Sequence, residues 1–316
     1  MPWLRFIPET TNIDFVGWRF YAFAVDGLLV LVSIISIALH GFNLGIDFTG
    51  GTLIETKATH SIDIGALRNQ VGALNFGETQ IQYVGTGSCD QPKDSCVLIR
   101  IQPKAGQSGD EIVKTVKAKL GSDFTIRNAQ SISAKVSAEL FQSGVWAMIL
   151  AVVMISIYVA IRFEWQYGIG ALIATGHDVF VTAGLFSVLQ LDFTLNTVAA
   201  LLLLAGYSIN DTVIVFDRIR ENRRKYKRMR LPELINLSTN QIATRTTLVS
   251  AATALSMVPL LFFGGPVLFN FSAAILFGIL VGTFSSTYVA AALLLYLPAP
   301  AGTVDDAADD KGKARA

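Results

Sequence analysis

The chain alternates between long apolar stretches and shorter polar segments. Six of the stretches reach the length of about 20 apolar residues that a helix needs to span a bilayer. The sixth is too long for one untilted crossing, so it tilts or leaves the bilayer at one end. The pattern predicts an α-helical membrane protein with six transmembrane helices, at residues 20–40, 139–161, 166–189, 194–216, 245–263 and 267–297.

Residues 41–138, between the first two spans, are polar enough to form a water-soluble domain. They show strand-like alternation at 52–56, 80–84, 97–101 and 124–126, and helical apolar spacing at 62–74 and 109–120. The resulting order β-α-β-β-α-β is that of ferredoxin-like domains, so we predict a small α+β domain of this type.

A glycine-rich segment directly follows the first span and contains Gly45, Asp47, Gly50 and Gly51. Glycine permits positive φ and close backbone approach, so this segment predicts a tight turn where the chain leaves the membrane. Asp47 is expected to accept backbone N–H bonds within that turn, with a substrate-binding role as the alternative.

The two cysteines, Cys89 and Cys96, fall in the connection between the two middle strands of the predicted domain. A disulfide there would close a small loop, provided that the loop lies outside the cytoplasm. Two unpaired thiols are the alternative. With only two cysteines and three histidines in the chain, we expect no Cys/His zinc site.

Composition supports the membrane assignment, since 52% hydrophobic and 16% charged residues with a mean hydropathy of +0.50 exclude an ordinary soluble globule. The charges are segregated: the segment 217–244 is rich in Lys and Arg, whereas the short loops near 191 and 265 contain neither. By the positive-inside rule, both termini and this basic segment are cytoplasmic and the domain 41–138 lies outside. Residues 1–19 are expected to be interfacial, and the tail 298–316 to be disordered.

Ionisable side chains lie inside the predicted spans, where a charge costs about 2.5 kcal/mol or more at the bilayer centre. His177 and Asp178 fall near the middle of the third span, Asp211 lies in the fourth, and Arg245 opens the fifth. Asp26 lies in the early turns of the first span, where a position near the water interface is the favoured interpretation. Residues kept at such a cost are functional candidates by default.

The chemistry that these residues suit is reversible protonation. Burial disfavours the charged form of a carboxyl group, whereas a nearby guanidinium favours it. If the separation of Asp211 and Arg245 changes with conformation, the carboxyl can take a proton from one side and release it to the other. A fixed Asp211–Arg245 ion pair, a snorkelling Arg245 and a His177 that only packs are the alternatives.

Enzymatic chemistry is not indicated. No nucleophile–base arrangement, phosphate-binding glycine loop with a lysine or HExxH pattern stands out. We therefore expect no enzyme and no cofactor, with protons as the coupling ion. Gly278 and Gly282 form a GxxxG pair in the sixth span, a common spacing that permits close helix contact.

Several segments together resemble the SecF family, the smaller partner of SecD in bacterial protein export. The fourth-span signature, which includes Gly206 and Asn210, is specific, and the resemblance covers essentially the whole chain except for the Cys89–Cys96 loop. The segments are GIDFTGG at 45–51, GHD at 176–178, GYSINDT at 206–212 with DRIREN at 217–222, TRT at 244–246, FGGPV at 263–267 and GTFSS at 282–286.

The resemblance implies half of a resistance–nodulation–division (RND) unit, with SecD supplying the other half, in the bacterial inner membrane with the domain 41–138 in the periplasm. It implies that the proton-motive force assists late translocation and periplasmic release of preproteins, together with the SecYEG channel and the SecA ATPase. The essential Asp and Arg of the family map onto Asp211 and Arg245, and His177-Asp178 is a weaker correspondence. YajC, YidC and membrane lipids are further expected partners, and nucleic acid is not.

Two other functions remain open at this point. One is the half of a proton-coupled small-molecule or lipid exporter of the same superfamily, although such exporters usually carry far larger external domains. The other is a scaffold that only stabilises an export complex.

Overall fold

The computed structural model describes residues 11–84, 95–103 and 107–298. Ten α-helices, four strands and one π-helical segment occur in these residues. In chain order they are α1 (Arg19–His40), α2 (Ile46–Thr49), β1 (Gly51–Ala58), α3 (Ile64–Gly72), β2 (Gly77–Tyr83), β3 (Cys96–Pro103), α4 (Gly109–Leu120), β4 (Phe124–Ile132), α5 (Ala134–Arg162), α6 (Trp165–Leu189), α7 (Leu195–Lys225), α8 (Leu231–Phe263), α9 (Gly265–Phe284), the π-helical segment Ser285–Ala290 and α10 (Ala291–Leu293).

Six helices are long and apolar enough to cross a membrane, and they correspond to the six predicted spans. They are α1, α5, α6, α7, α8 and the run that begins in α9. Much of the apolar surface of α1, α5 and α8 is exposed, as expected of side chains that face lipid or another membrane chain. The α-helical membrane fold is therefore confirmed.

The predicted basic segment 217–244 is largely helical, because α7 continues to Lys225 and α8 already begins at Leu231. Polar side chains hold these extensions together. Asn222 Nδ2 donates to Ser238 Oγ over 2.9 Å, and Arg223 pairs with Glu164 over 2.6 Å. The helices thus extend beyond the predicted span boundaries at 216 and 245, since loss of hydropathy marks the end of a span and not the end of a helix.

The last span changes its helical type near its middle. The α-helix ends at Phe284 and a π-helical segment, Ser285–Ala290, follows before a short final α-turn. Such π-segments are rare and often occur at functional sites. Here the segment begins at a serine that contacts the polar interior of the bundle, as described below.

The extramembrane domain has the predicted ferredoxin-like order of elements. Its sheet is antiparallel with strand order β2-β3-β1-β4, and α3 and α4 cover one face. Alternation along β1 and β3 directs Ile54, Ile99 and Ile101 into a core with Leu67 of α3 and Val116 of α4. Asp63 caps α3 by accepting from Gly65 N over 2.7 Å. The small α+β domain is confirmed.

The glycine-rich segment docks onto the loop between α6 and α7. Gly45 N donates to Phe193 O over 2.8 Å, and Gly51, at φ +124°, lies so close to β3 that a Cβ would sit 2.6 Å from Ile101 O. Asp47 does accept a backbone N–H, but the donor is Leu195 N at 2.8 Å and not a group of its own turn. Asp47 therefore stabilises the first turn of α7, 148 residues further along the chain.

A second contact joins the sheet domain to the membrane helices. Arg100 of β3 pairs with Asp192 of the α6–α7 loop over 3.0 Å, and Asn43 Nδ2 donates to the same carboxylate oxygen over 2.9 Å. The exit of the first span, the α6–α7 loop and the sheet are thus held together at one end of the bundle.

Candidate functional site

Two buried polar clusters lie inside the helical bundle, on different sides of α7. Ser208 and Asp211 are about one turn apart on this helix. Ser208 donates to Asp178 of α6, which also accepts from Ser285 of the π-segment, whereas Asp211 accepts from Ser250 of α8. Both clusters contain residues that the sequence predicts as proton-coupling groups.

The first cluster surrounds Asp178, which is fully buried at 0% exposure. Its Oδ2 accepts hydrogen bonds from Ser208 Oγ over 2.5 Å and from Ser285 Oγ over 2.8 Å. Its Oδ1 accepts from His177 Nδ1 over 3.0 Å. Three donors from α6, α7 and the π-segment thus converge on one carboxylate, an arrangement that stabilises its ionised form within apolar surroundings.

The GxxxG glycines lie where α9 packs beside this cluster, and the tighter contact is at Gly278. A Cβ at Gly282 would lie 3.4 Å from Asp178 Oδ2 and 3.5 Å from Ser208 Cβ. A Cβ at Gly278 would collide with the Leu204 side chain. The GxxxG pair therefore allows α9 to approach α7 closely beside the buried carboxylate.

Asp26 joins this cluster from α1, which the sequence does not predict. Its side chain is buried at 5% exposure, and its Oδ1 lies 3.8 Å from His177 Nε2. The favoured interpretation is a carboxylate near the water interface; the structure shows this carboxyl group enclosed by protein, because α1 packs against α6. No pattern within the first span links Asp26 to a histidine 151 positions away.

The second cluster surrounds Asp211, which is 1% exposed. Its Oδ2 accepts a long hydrogen bond of 3.5 Å from Ser250 Oγ of α8, and its Oδ1 has no hydrogen-bond partner among the described residues. Ser250 Oγ in turn accepts from Tyr207 Oη over 3.0 Å and from Thr283 Oγ1 over 2.8 Å. Sequence alone does not indicate Ser250 as this partner, because a hydroxyl group in a span carries no signal of what it contacts.

Arg245 is exposed on α8, and no salt bridge joins it to Asp211 or to another carboxylate within the part of the chain that the structure describes. Gly206 and Asn210 are exposed on α7. A Cβ at Gly206 would meet nothing within 4 Å. Gly206, Asn210 and Arg245 thus lie on surface that the described residues leave uncovered.

The other predicted features are placed as follows. Cys96 is buried at the start of β3, and Cys89 lies outside the described residues, so their disulfide stays a prediction. In the described ranges, no group of His, Cys, Asp and Glu side chains is arranged to hold a metal ion.

Family models match most of the chain. Residues 112–299 match the model described as "Protein export membrane protein SecD/SecF, C-terminal", and residues 35–62 match the "SecD/SecF GG Motif". The chain belongs to the SecD/SecF family. The first match contains both buried clusters apart from Asp26, and the second contains Gly50 and Gly51.

Relatives within the SecD/SecF family are named as one subunit type. The chain is 42% identical over 305 residues to the "Protein translocase subunit SecF" of Rhodobacter capsulatus, which covers 93% of this chain and 91% of the relative. It is 36% identical over 295 residues to the subunit of the same name from Rickettsia prowazekii, covering 92% and 93%. These relatives place the chain among the SecF-type subunits of protein translocase.

Solved SecDF structures have the same fold. SecDF from Thermus thermophilus, described as a translocon-associated membrane protein, matches with a TM-score of 0.82 and 34% identity, over 94% of this chain and 39% of that longer chain. SecDF in a "Super-membrane-facing form" matches with a TM-score of 0.62 and 32% identity, over 96% and 40%. The chain therefore spans about two-fifths of each SecDF chain, and the SecDF match supports SecD as its partner.

Proposed function

We propose that this SecF-type subunit uses the proton-motive force, as part of a SecDF unit in the bacterial inner membrane, to assist late translocation and periplasmic release of preproteins. The observation that carries the proposal is the environment of Asp211. This carboxyl group is buried in a membrane helix, yet it receives one hydrogen bond of 3.5 Å and has an oxygen without a partner. These surroundings do little to fix its charge, which suits a group that gains and loses a proton.

The hydroxyl groups around Asp211 can adapt to either of its charge states. Ser250, Tyr207 and Thr283 form a chain of donors that points toward the carboxylate. Each hydroxyl can both donate and accept, so rotation of these groups lets a protonated Asp211 donate where the carboxylate accepted. Asp211 can therefore take up a proton while these buried hydroxyl groups keep their hydrogen-bond partners.

Arg245 supplies the positive charge of the proposed mechanism. It is exposed on α8 of this chain, and Gly206 and Asn210 are exposed on α7. If SecD packs against these exposed positions, Arg245 is removed from lipid and carboxylates of either subunit come within its reach. One elementary charge that crosses 100 mV supplies about 2.3 kcal/mol, which is enough to drive a rocking motion of packed helices.

His177 and Asp178 form a second ionisable pair in this proposal. Asp178 remains the fixed carboxylate because three donors hold it, and His177 is the member of the pair that exchanges a proton. The fold supports a second ionisable site here, since Ser208 links it to the helix that carries Asp211.

Orientation and partners follow from the same proposal. The basic ends of α7 and α8 lie on the cytoplasmic side with both termini, and the sheet domain lies in the periplasm, where it meets emerging preproteins. SecYEG and SecA act before this step, and YajC, YidC and membrane lipids are further partners in the proposal. The relatives named as translocase subunits favour protein export over export of small molecules or lipids.

The decisive experiment replaces Asp211 by Asn in vesicles that contain the full export complex. We expect release of a preprotein driven by the proton gradient to fall at least about tenfold, because the proton-binding group is gone, while SecA-driven early translocation continues. Asp217→Asn is the matched control, since Asp217 is an exposed carboxylate six residues further along the same helix.

Gradient-driven release that survives in Asp211→Asn would refute the coupling role. A scaffold function predicts a different pattern, in which Asp211→Asn fails to assemble with SecD. Co-purification of the variant with SecD, together with lost release, is therefore the expected result.

A further inference from the structure

Asp26 is a buried carboxyl group that the proposed function does not use. We propose that Asp26 is a proton-exchanging member of a buried three-residue site, in which it transfers a proton to and from His177 Nε2 while Asp178 holds the opposite side of the imidazole ring. The link between this site and export rests on the proposed function, whereas proton exchange at the site does not.

The two carboxyl groups beside His177 have opposite surroundings. Asp178 receives hydrogen bonds from Ser208, Ser285 and His177. Asp26 is as deeply enclosed, but neither of its oxygens has a hydrogen-bond partner among the described residues. A pair of carboxyl groups in such different environments divides into one group that stays ionised and one that carries protons.

The imidazole is oriented to exchange a proton with Asp26. Because Nδ1–H donates to Asp178 over 3.0 Å, the lone pair of a neutral His177 is on Nε2. Nε2 is buried without a hydrogen-bond partner in the described structure, and Asp26 Oδ1 lies 3.8 Å away. A side-chain movement of less than 1 Å, on the order of ordinary thermal motion, makes this a hydrogen bond.

The transfer itself is balanced within the site. The O–H bond of a protonated Asp26 breaks, an N–H bond forms at Nε2, and the products are a carboxylate and an imidazolium held between two carboxylates. In the reverse step the imidazolium returns the proton to Asp26. No redox partner or further reactant takes part.

Charge balance explains why the site binds protons. With a neutral His177 and both carboxyl groups ionised, three neighbouring side chains would carry two buried negative charges without a positive one. One bound proton on His177 leaves a single excess negative charge, and a second on Asp26 leaves none. Uncompensated charge is costly in apolar surroundings, so these proton-bound forms are favoured.

No other charged group competes for Asp26 in the described structure. The helix α1 packs against α6 and the π-segment. None of the remaining titratable side chains on these three elements forms a hydrogen bond or ion pair with Asp26 or His177 in the described ranges; they are Arg19, Tyr21, His40, Tyr167 and Tyr288. Among the described residues, His177 is thus the group that can compensate the charge of Asp26.

The test follows the titration of His177 by NMR in the full chain in lipid nanodiscs, with isotope-labelled histidine. The chain has three histidines, so a background with His40→Gln and His60→Gln leaves a single signal. In that background we expect Asp26→Asn to move the pH midpoint of His177 by about one unit or more, as for charges within about 4–6 Å of each other. Asp26→Glu is expected to restore most of the original behaviour.

Ser36→Ala is the matched control, because Ser36 joins the same two helices through a buried hydrogen bond of 2.9 Å to Ser187 and carries no charge. An unchanged midpoint in Asp26→Asn would overturn the proposal. An equal shift in Ser36→Ala would also overturn it, since helix packing alone would then account for the effect. The readout needs no export assay, so a failure of the proposed function leaves it interpretable.

Discussion

Asp178 and Asp211 are both carboxyl groups buried at the centre of the helical bundle, and both are reached by hydroxyl groups from neighbouring helices. Asp178 receives three hydrogen bonds of 2.5 to 3.0 Å from three elements. Asp211 receives one of 3.5 Å, and its other oxygen has no partner among the described residues. The first carboxyl group thus joins three elements through hydrogen bonds, whereas the second is held by a single long one.

The two carboxyl groups are both buried and yet differ in how firmly they are held, so burial alone does not describe their surroundings. Each site includes residues of α7 and of the last span, and in each a serine hydroxyl donates to the carboxylate. What separates them is the number and length of the hydrogen bonds. Four predictions test whether this difference governs stability.

The largest expected effect is that of Asp178→Ala. Three donors would lose their acceptor, so the free energy of unfolding is expected to fall by roughly 3 kcal/mol or more. For Asp211→Ala we expect a loss of about 1 kcal/mol, since a single long bond is removed. Denaturant titration of the purified chain in detergent measures both, and equal losses would contradict the comparison.

Gly282→Val tests the space beside Asp178. A Cβ at this position already lies 3.4 Å from Asp178 Oδ2, and the two methyl groups of valine would push into the carboxylate and Ser208. We expect the free energy of unfolding to fall by about 2 kcal/mol.

Gly206→Val is its control, because nothing lies within 4 Å of a Cβ there. In the isolated chain the control should unfold close to wild type. A destabilised control with an unaffected Gly282→Val would reverse the assignment of the packed and open faces of α7 and α9.

Ser208→Ala removes one donor from Asp178 and leaves the others in place. A hydrogen bond to a charged group contributes about 1.5 to 3 kcal/mol, and we expect the lower end because Ser285 and His177 remain. Ser256→Ala serves for comparison, since Ser256 is exposed and donates only to the backbone of its own helix, at Thr253 O. Thermal unfolding of both variants in detergent distinguishes them, and similar midpoints would show that the 2.5 Å bond contributes little.

The smallest effect is expected from Arg100→Gln, where the sheet domain meets the α6–α7 loop. The ion pair of Arg100 with Asp192 is partly exposed to solvent, so its loss is expected to lower the free energy of unfolding by at most about 1 kcal/mol. Hydrogen exchange should instead show faster opening where the sheet domain meets the α6–α7 loop. A loss as large as that of Asp178→Ala would contradict the view that buried bonds dominate.

Hydropathy and alternation were sufficient to predict the six spans and the ferredoxin-like order, because both depend on where apolar side chains face. Position along the chain also indicated His177, Asp178 and Asp211, since a charge within a span stands out in any sequence. Their partners did not stand out. Asp47 accepts a hydrogen bond from Leu195 N, Asp26 lies beside His177, and Ser250 donates to Asp211. Each of these contacts joins segments that are distant along the chain.

Helix ends were predicted less well for a physical reason. Residues after 216 become charged, which ends the membrane span, but their side chains pair across helices, as Arg223 does with Glu164, and so the helix continues. The change to π-helical geometry at Ser285 also has no composition signal, because serines and small residues are frequent throughout the last two spans.

The carboxylate–amide contact between Asp47 and Leu195 has a mechanical consequence. The helix α7 carries Asp211 sixteen residues below that contact, a distance of about 24 Å along its axis at 1.5 Å per residue. Asp47 is only four residues from the first strand of the sheet. Because α7 is one continuous helix, a tilt at the level of Asp211 would also move its first turn, and the Asp47–Leu195 contact would transmit that movement to β1. One helix and one short segment thus connect the buried carboxyl group to the sheet domain.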